Sequence, residues 1–291
     1  MYSPVIAVLL MGMVPVWDLP PATGVTLEHL LIAAPSPLRS SAPEQGLTFT
    51  ERLSASGVLV MDLQSGQFLY GKEEATERAM ASLTKLMTAL IIVENHALTE
   101  WVTVPDDLGP MNGSVAYLPP GHQFTVGDLL SALLISSAND AAEMLARYHS
   151  GSEEAFAEEM NTRAAALGLK QTSYENAIGF DNSLQWSTPQ DIAWLATFLL
   201  RHESIRERMS MRGATIHSRQ GETIHLTHTH ALIHANTPVV AGKTGTTDSA
   251  GECLLSLVEE GGREYLVIIL HSLQRYADMR VILEALAKPL A

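Results

Sequence analysis

The sequence predicts an α+β fold: one antiparallel sheet built from both ends of the chain, with a helical region inserted between. Strand-like runs come first, with GVLVMDL and QFLYG flanking the turn Gln64-Ser65-Gly66. They return last, in SLVEEGGREYLVIIL around Gly261-Gly262. Between the two sets, apolar residues recur at helical spacing and are punctuated by cap residues. Strands grouped at the ends with helices in the middle specify segregated layers, not alternating βα units.

The amino terminus precedes this pattern. Pro4 to Trp17 is apolar (PVIAVLLMGMVPVW), shorter than the roughly 20 residues that span a bilayer and close to the length of a secretory h-region. No Lys or Arg precedes it, and the first basic residue is Arg39. The expectation is an export signal or a membrane anchor at residues 4–17, with a mis-assigned start as the other explanation for the missing basic residues. A Pro/Ser/Ala-rich stretch follows (AAPSPLRSSAPEQG). Residues 1–48 are therefore expected to be a signal-like or anchor segment plus linker, and residues 49–291 one folded domain.

Within that domain the elements follow in order. Ala81 to Val93 is strongly apolar and predicts a buried helix. Thr125, with Asp128 three residues on, marks a helix start leading into LLSALLI. The run breaks at Ser136-Ser137-Ala138-Asn139 and resumes in AAEMLARY. Ser152, with Glu153 and Glu154 in the first turn, begins a helix that ends near Gly168. Thr188, Pro189 and Asp191 mark another by the same cap-then-proline logic. Strands resume from Gly242, and MRVILEALA predicts a closing helix.

Composition excludes some function classes. With 46% hydrophobic residues the chain can bury a sizeable core. Its 18 Lys plus Arg against 32 Asp plus Glu give a net charge of −14, which repels nucleic acid. The single cysteine, Cys253, excludes an intramolecular disulfide framework and sits in an apolar strand as a core residue.

Three short motifs bear on chemistry. Ser82-Leu83-Thr84-Lys85 opens the buried helix. Residues i and i+3 share a helix face, so the lysine can reach the serine oxygen, and burial beside other cations lowers its pKa enough for it to act as a base. Ser137-Ala138-Asn139 lies at a break between helices, where a serine can project into a cleft and the asparagine offers donor and acceptor. Taken alone, Asn139 reads as a helix cap. Lys243-Thr244-Gly245, followed by Thr246, opens the late strands; a Lys and a Thr on an edge strand can grip a carboxylate, and glycine lets a substrate backbone approach. Each fragment alone is common, but S-x-x-K, then S-x-N, then K-T-G in that order is not.

On these motifs, and on the segments VLVMDLQSGQFLYG, ASLTKLMTALIIVE, LPPGHQFTVGDLLSALLISSANDAAEMLA, EEAFAEEMNTRAAALGLKQTSYENAIGFDN and GKTGTTDSAGECLLSL, the chain resembles the low-molecular-mass D-alanyl-D-alanine carboxypeptidases. These are penicillin-binding proteins related to the serine β-lactamases. The resemblance implies a transpeptidase-type fold over most of residues 54 to 285. It also implies an exported enzyme, periplasmic or extracytoplasmic, acting on peptidoglycan stem peptides without metal or organic cofactor and acylated by β-lactams. Ser82 would be the nucleophile, Lys85 its base, and Ser137 the proton donor to the leaving amine. Asn139 would orient the peptide, Lys243 and Thr244 would hold the terminal carboxylate, and Gly245 would leave room for the substrate. The backbone N–H groups of Ser82 and Thr246 would hold the oxyanion. A D,D-endopeptidase, a β-lactamase and a non-hydrolysing peptidoglycan sensor are the alternatives. The chain departs from the family pattern at Ala138, where glycine is usual, and at Ala177 in Asn176-Ala177-Ile178-Gly179, where proline is usual.

Other candidates are weaker. His225, His228, His230 and His234 match neither H-E-x-x-H nor a tetrahedral Cys/His set, and are expected on strand and loop surfaces. Asp140 reads as a surface or cap acid. Glu175 occupies the stretch where class A β-lactamases carry their water-activating glutamate, but its surroundings follow the carboxypeptidase pattern. Arg275 is weighed as a second carboxylate contact against a solvated turn.

Overall fold

The computed structural model describes residues 46–49, 51–108 and 111–288. The apolar segment at residues 4–17 and the linker up to residue 45 lie outside them.

A five-stranded, wholly antiparallel sheet organises the described chain. Its strands are β1 (Gly57–Asp62), β2 (Phe68–Lys72), β7 (Val239–Thr247), β8 (Gly251–Glu260) and β9 (Arg263–Ser272), in the order β2-β1-β9-β8-β7. The two ends of the chain meet where β1 pairs with β9, Gly57 opposite Leu270. Every residue of β1 is buried because both sheet faces are covered. Leu59 and Met61 join the core beneath the helices, while Val58 and Val60 join a second core with Met279 and Ile282 of the last helix. Two faces buried on a period of two explain why GVLVMD is continuously apolar.

Among the described residues the inserted region carries six α-helices: α1 (Lys85–Asn95), α2 (Val126–Ile135), α3 (Asn139–Ser150), α4 (Glu153–Leu167), α5 (Pro189–Leu199) and α6 (Glu203–Ser210). Their ends follow the predicted chemistry. Thr125 and Asp128 form a reciprocal capping box on α2, and Ser152 and Thr188 cap α4 and α5, with Pro189 in the first turn. Gly168 ends α4 in the left-handed conformation. The helix α1 is buried from Lys85 through Ile92, at the centre of the larger core.

Several elements depart from the sequence expectation. The segment read as one helix from Ala81 begins as a 3-10 turn, Ala81–Thr84, and becomes α-helical only at Lys85. Helix α6 and two small hairpins, β3 (Trp101–Thr103) with β4 (Gln123–Thr125) and β5 (Gly213–His217) with β6 (Thr223–Thr227), carried no clear periodicity. These strands are short and bury only alternate residues, so they contribute few apolar positions to read. Strand β7 starts at Val239, ahead of Gly242, and the last helix, α7 (Arg275–Leu286), starts four residues before Met279. That earlier start removes Arg275 from a loop and places it in the first turn of a helix.

Candidate active site

The 3-10 turn, the α2–α3 break and edge strand β7 converge on one cleft of about 280 Å³. Ser82, Ser137, Asn139, Thr244, Gly245 and Thr246 all line it.

Ser82 is set by close packing against glycine. A Cβ on Gly245 would lie 2.8 Å from the Ser82 amide nitrogen, so β7 can cross the turn only with glycine there. From the other side, Gly179 has φ +97°, and a Cβ there would lie 2.1 Å from the Ala81 carbonyl oxygen. The Ser82 turn is thus clamped between two side-chain-free positions.

Lys85 begins α1 and is fully buried. Its Nζ lies 3.1 Å from Ser82 Oγ and donates to Asn139 Oδ1 at 2.7 Å and to the Ile178 carbonyl at 2.6 Å. Burial first, and then the Lys243 ammonium, push this amine well below its usual range, while Asp140 opposes the shift. Two acceptors occupy two N–H bonds, so a neutral amine turns its lone pair toward the Ser82 hydroxyl. The Ile178 carbonyl is aimed by Asn176, whose Oδ1 accepts from the amides of Ile178, Gly179 and Phe180. Ala177, in place of the usual proline, keeps its carbonyl bonded to Thr88 Oγ1 at 2.8 Å.

Ser137 adopts φ +60°, a strained value for a non-glycine residue, and this turns its hydroxyl into the cleft. Asn139 is the first residue of α3 and does not cap it; its side-chain Nδ2 donates to the Asn112 carbonyl at 2.6 Å. Asp140 is no surface acid. It is buried, and its carboxylate accepts the Ala116 and Leu118 amides, tying down the loop that brings Gly113 and Ser114 to the cleft rim.

Lys243 is fully buried and does not line the cleft. Its Nζ donates to Ser137 Oγ at 2.6 Å and to the Thr244 carbonyl at 2.9 Å. Burial, then the Arg275 charge, bring it down to about 7. The cation that lines the cleft is Arg275, which donates to Thr246 Oγ1 at 2.7 Å and to the Gly245 carbonyl at 2.8 Å. Its Nε is buried without a hydrogen-bond partner among the described residues.

The remaining candidates separate. Glu175 is exposed and off the cleft. Cys253 is a fully buried core residue. His225 and His234 are exposed as expected, but His228 and His230 are not on the surface; both are buried behind β7, and His230 Nε2 lies 2.8 Å from Ser256 Oγ. Between them Thr229 reaches the cleft, where its hydroxyl accepts from Thr244 Oγ1 at 2.6 Å. Thr229 was not anticipated, since an isolated threonine between histidines carries no motif.

Residues 42–273 match the family model described as D-alanyl-D-alanine carboxypeptidase, a family of serine peptidases. The chain belongs to this family. It is 32% identical over 246 residues to the D-alanyl-D-alanine carboxypeptidase DacF of Bacillus subtilis, covering 82% of this chain but only 62% of that protein. A D-alanyl-D-alanine endopeptidase of Pseudomonas aeruginosa is 29% identical, over 87% of this chain and 82% of its own length. The crystal structure of the Streptomyces K15 DD-transpeptidase superimposes with a TM-score of 0.76 at 27% identity, covering 82% of this chain and 98% of that one. The mixed helix and antiparallel-sheet architecture is therefore that of the penicillin-binding D-alanyl-D-alanine peptidases.

Proposed function

We propose that this member of the family is a serine D-alanyl-D-alanine carboxypeptidase, removing the terminal D-Ala of peptidoglycan stem peptides through an acyl-enzyme on Ser82. The observation that carries this reading is a fully buried Lys85 amine with two acceptors already filled and Ser82 Oγ at 3.1 Å. A lysine whose amine burial pushes well below its usual range is a competent base for a serine hydroxyl.

Lys85 takes the Ser82 proton as Oγ attacks the carbonyl of the penultimate D-Ala. The oxyanion meets the backbone N–H groups of Ser82 and Thr246, each such donor contributing about 3 kcal/mol. Ser137, held by Lys243, passes a proton to the departing D-Ala amine. The substrate carboxylate contacts Thr244, Thr246 and Arg275, and Lys243 supports them from behind the wall. Water then hydrolyses the ester. A β-lactam enters by the same attack, and no step needs a metal or cofactor.

The P. aeruginosa relative, matched over 82% of its length, favours D,D-endopeptidase activity as a second reading. A β-lactamase mechanism through Glu175 has no support, because that side chain is exposed away from the cleft. Acting on peptidoglycan, the protein would work outside the cytoplasm, and residues 4–17 would serve as its export signal or anchor; among the described residues no helix is long and apolar enough to cross a membrane.

Intact-mass spectrometry with penicillin, a D-Ala-D-Ala pentapeptide and a cross-linked muropeptide tests the reading. One adduct on Ser82 and release of D-Ala from the pentapeptide are expected. Cleavage of the cross-link alone supports the endopeptidase, and a persistent adduct without D-Ala release supports a sensor.

A further inference from the structure

Far from the cleft, two histidines face each other in a way that two neutral rings cannot satisfy. His96, the C-terminal cap of α1, places Nε2 2.8 Å from Nδ1 of His149, in the last turn of α3. Each ring turns its other nitrogen to a carboxylate. His96 Nδ1 meets Glu100 Oε2 at 2.8 Å, and His149 Nε2 meets Glu159 Oε1 of α4 at 2.9 Å. The carboxylates are themselves braced. Glu100 accepts the Ala97 amide and the Tyr148 hydroxyl, and Glu159 accepts the Ser150 hydroxyl.

Hydrogen counting shows what is missing. The row Glu100–His96–His149–Glu159 has three contacts, and two neutral imidazoles bring only two N–H groups. Whichever tautomers are chosen, one contact sets lone pair against lone pair. If both carboxylates accept N–H, the inner nitrogens converge as bare lone pairs and the centre calls for a cation.

We propose that His96 and His149 form a binding site for a divalent transition-metal ion of the zinc or copper type. A carboxylate behind each ligating imidazole is the usual support of such ligands, fixing the tautomer and raising nitrogen basicity. Two nitrogens on a tetrahedral ion lie about 3.3 Å apart, given metal–nitrogen bonds of about 2.0–2.1 Å. The observed pair reaches that with about half an ångström of ring movement. The two carboxylates give the pocket a charge of −2, which a divalent ion balances and a single proton does not. The histidine side chains are only 17% and 12% exposed, so the inner nitrogens are shielded yet reachable. Among the described residues no three His, Cys, Asp or Glu side chains converge on one point, so the protein supplies two ligands and water the rest. The ion is a clasp and takes no part in the acyl transfer. Lys85 and Asn139 open α1 and α3 and the histidines close them, about 15 Å away at 1.5 Å per residue. Its effect is to tie the C-terminal ends of the two helices that carry those residues.

The test is calorimetric titration of the untagged full chain with zinc chloride, and electron paramagnetic resonance with one equivalent of cupric ion. One site per chain and hyperfine coupling from two imidazole nitrogens are expected, with a Tm several degrees higher at about a hundredfold excess over Kd. His149→Ala should weaken this event at least tenfold while leaving penicillin acylation of Ser82 intact, which reports that the variant folds. His217 and His225, on the exposed face of the β5–β6 hairpin, are the background control, and replacing both should leave the event unchanged. No saturable binding, or binding lost with His217 and His225 and kept in His149→Ala, overturns the proposal and leaves the rings bridged by a shared proton.

Discussion

The Lys243 ammonium ends on the hydroxyl of Ser137, 2.6 Å away; Ser137 lines the cleft and Lys243 lies fully buried behind it. The sequence expectation had Lys243 gripping that carboxylate directly. Lys243 is fully buried and bonded to Ser137, so on the proposed function its tasks would be to orient Ser137 and to set the potential behind Thr244.

Truncating Lys243 should therefore slow acylation by acid and amide substrates alike, by about tenfold to a hundredfold for a charge-assisted contact of roughly 1.5–3 kcal/mol. Arg275→Gln should show the selective loss, large for a D-Ala-D-Ala acid and small for its amide. Rates measured on that substrate pair would overturn the division of labour if Lys243→Ala were the acid-selective variant.

Lys85→Arg should fold and lose nearly all acylation, because a guanidinium stays protonated and cannot take the Ser82 proton. Stopped-flow acylation by a chromogenic β-lactam within a few-fold of the parent rate would remove Lys85 as the base.

Gly179→Ala should be severely disruptive because the position has no room for a side chain. The new Cβ would fall 2.1 Å from the Ala81 carbonyl oxygen at a φ of +97°. A cost of roughly 2–4 kcal/mol in denaturant unfolding is expected. Penicillin labelling should fall as well, since relief of the clash moves the Ser82 turn or the Ile178 carbonyl. Parental stability with parental labelling would show that the loop yields freely.

Acid should destabilise the protein through His228 and His230. Burial first, then neighbouring positive groups, lower them to about 4 and about 3, while an unfolded histidine titrates near 6.5. Below pH 6.5 the unfolded chain takes up protons that the folded chain refuses. Stability therefore falls as pH drops from 6.5 toward 4, by about 1.4 kcal/mol per pH unit for each histidine. Urea midpoints at pH 7, 6 and 5 should converge in a His228→Asn, His230→Asn double variant. An unchanged pH slope would refute the assignment.

The sheet, the long helices and the three short motifs were legible because each carries a local signal: alternating or continuous apolar runs, Thr125 with Asp128, or serine and lysine three apart. The Ser82 turn was read as plain helix because a 3-10 start differs from it only by hydrogen-bond spacing. The place of Arg275 at the cleft is not legible in the sequence, because its helix begins with polar residues and its position depends on β7, nearly thirty residues earlier in the chain. Asp140, His228 and His230 were misplaced for a shared reason. Polarity points outward in a sequence, while the backbone partners that let a polar group be buried, such as the Ala116 and Leu118 amides, are set only by the fold.

The pairing of β1 with β9 also orders events in time. More than two hundred residues separate Gly57 from its partner Leu270, so closing the sheet pays the loop entropy of nearly the whole domain before its hydrogen bonds repay it. During synthesis, β1 and β2 emerge early and wait, their neighbour unmade. Strand β7, which lies over Ser82, reaches the main sheet only through β8 and β9. A chain stalled before residue 272 contains all three motifs but lacks the completed β9 that joins β8 and β7 to the rest of the sheet, so on the proposed function acquisition of penicillin reactivity would serve as a clock for the last strand.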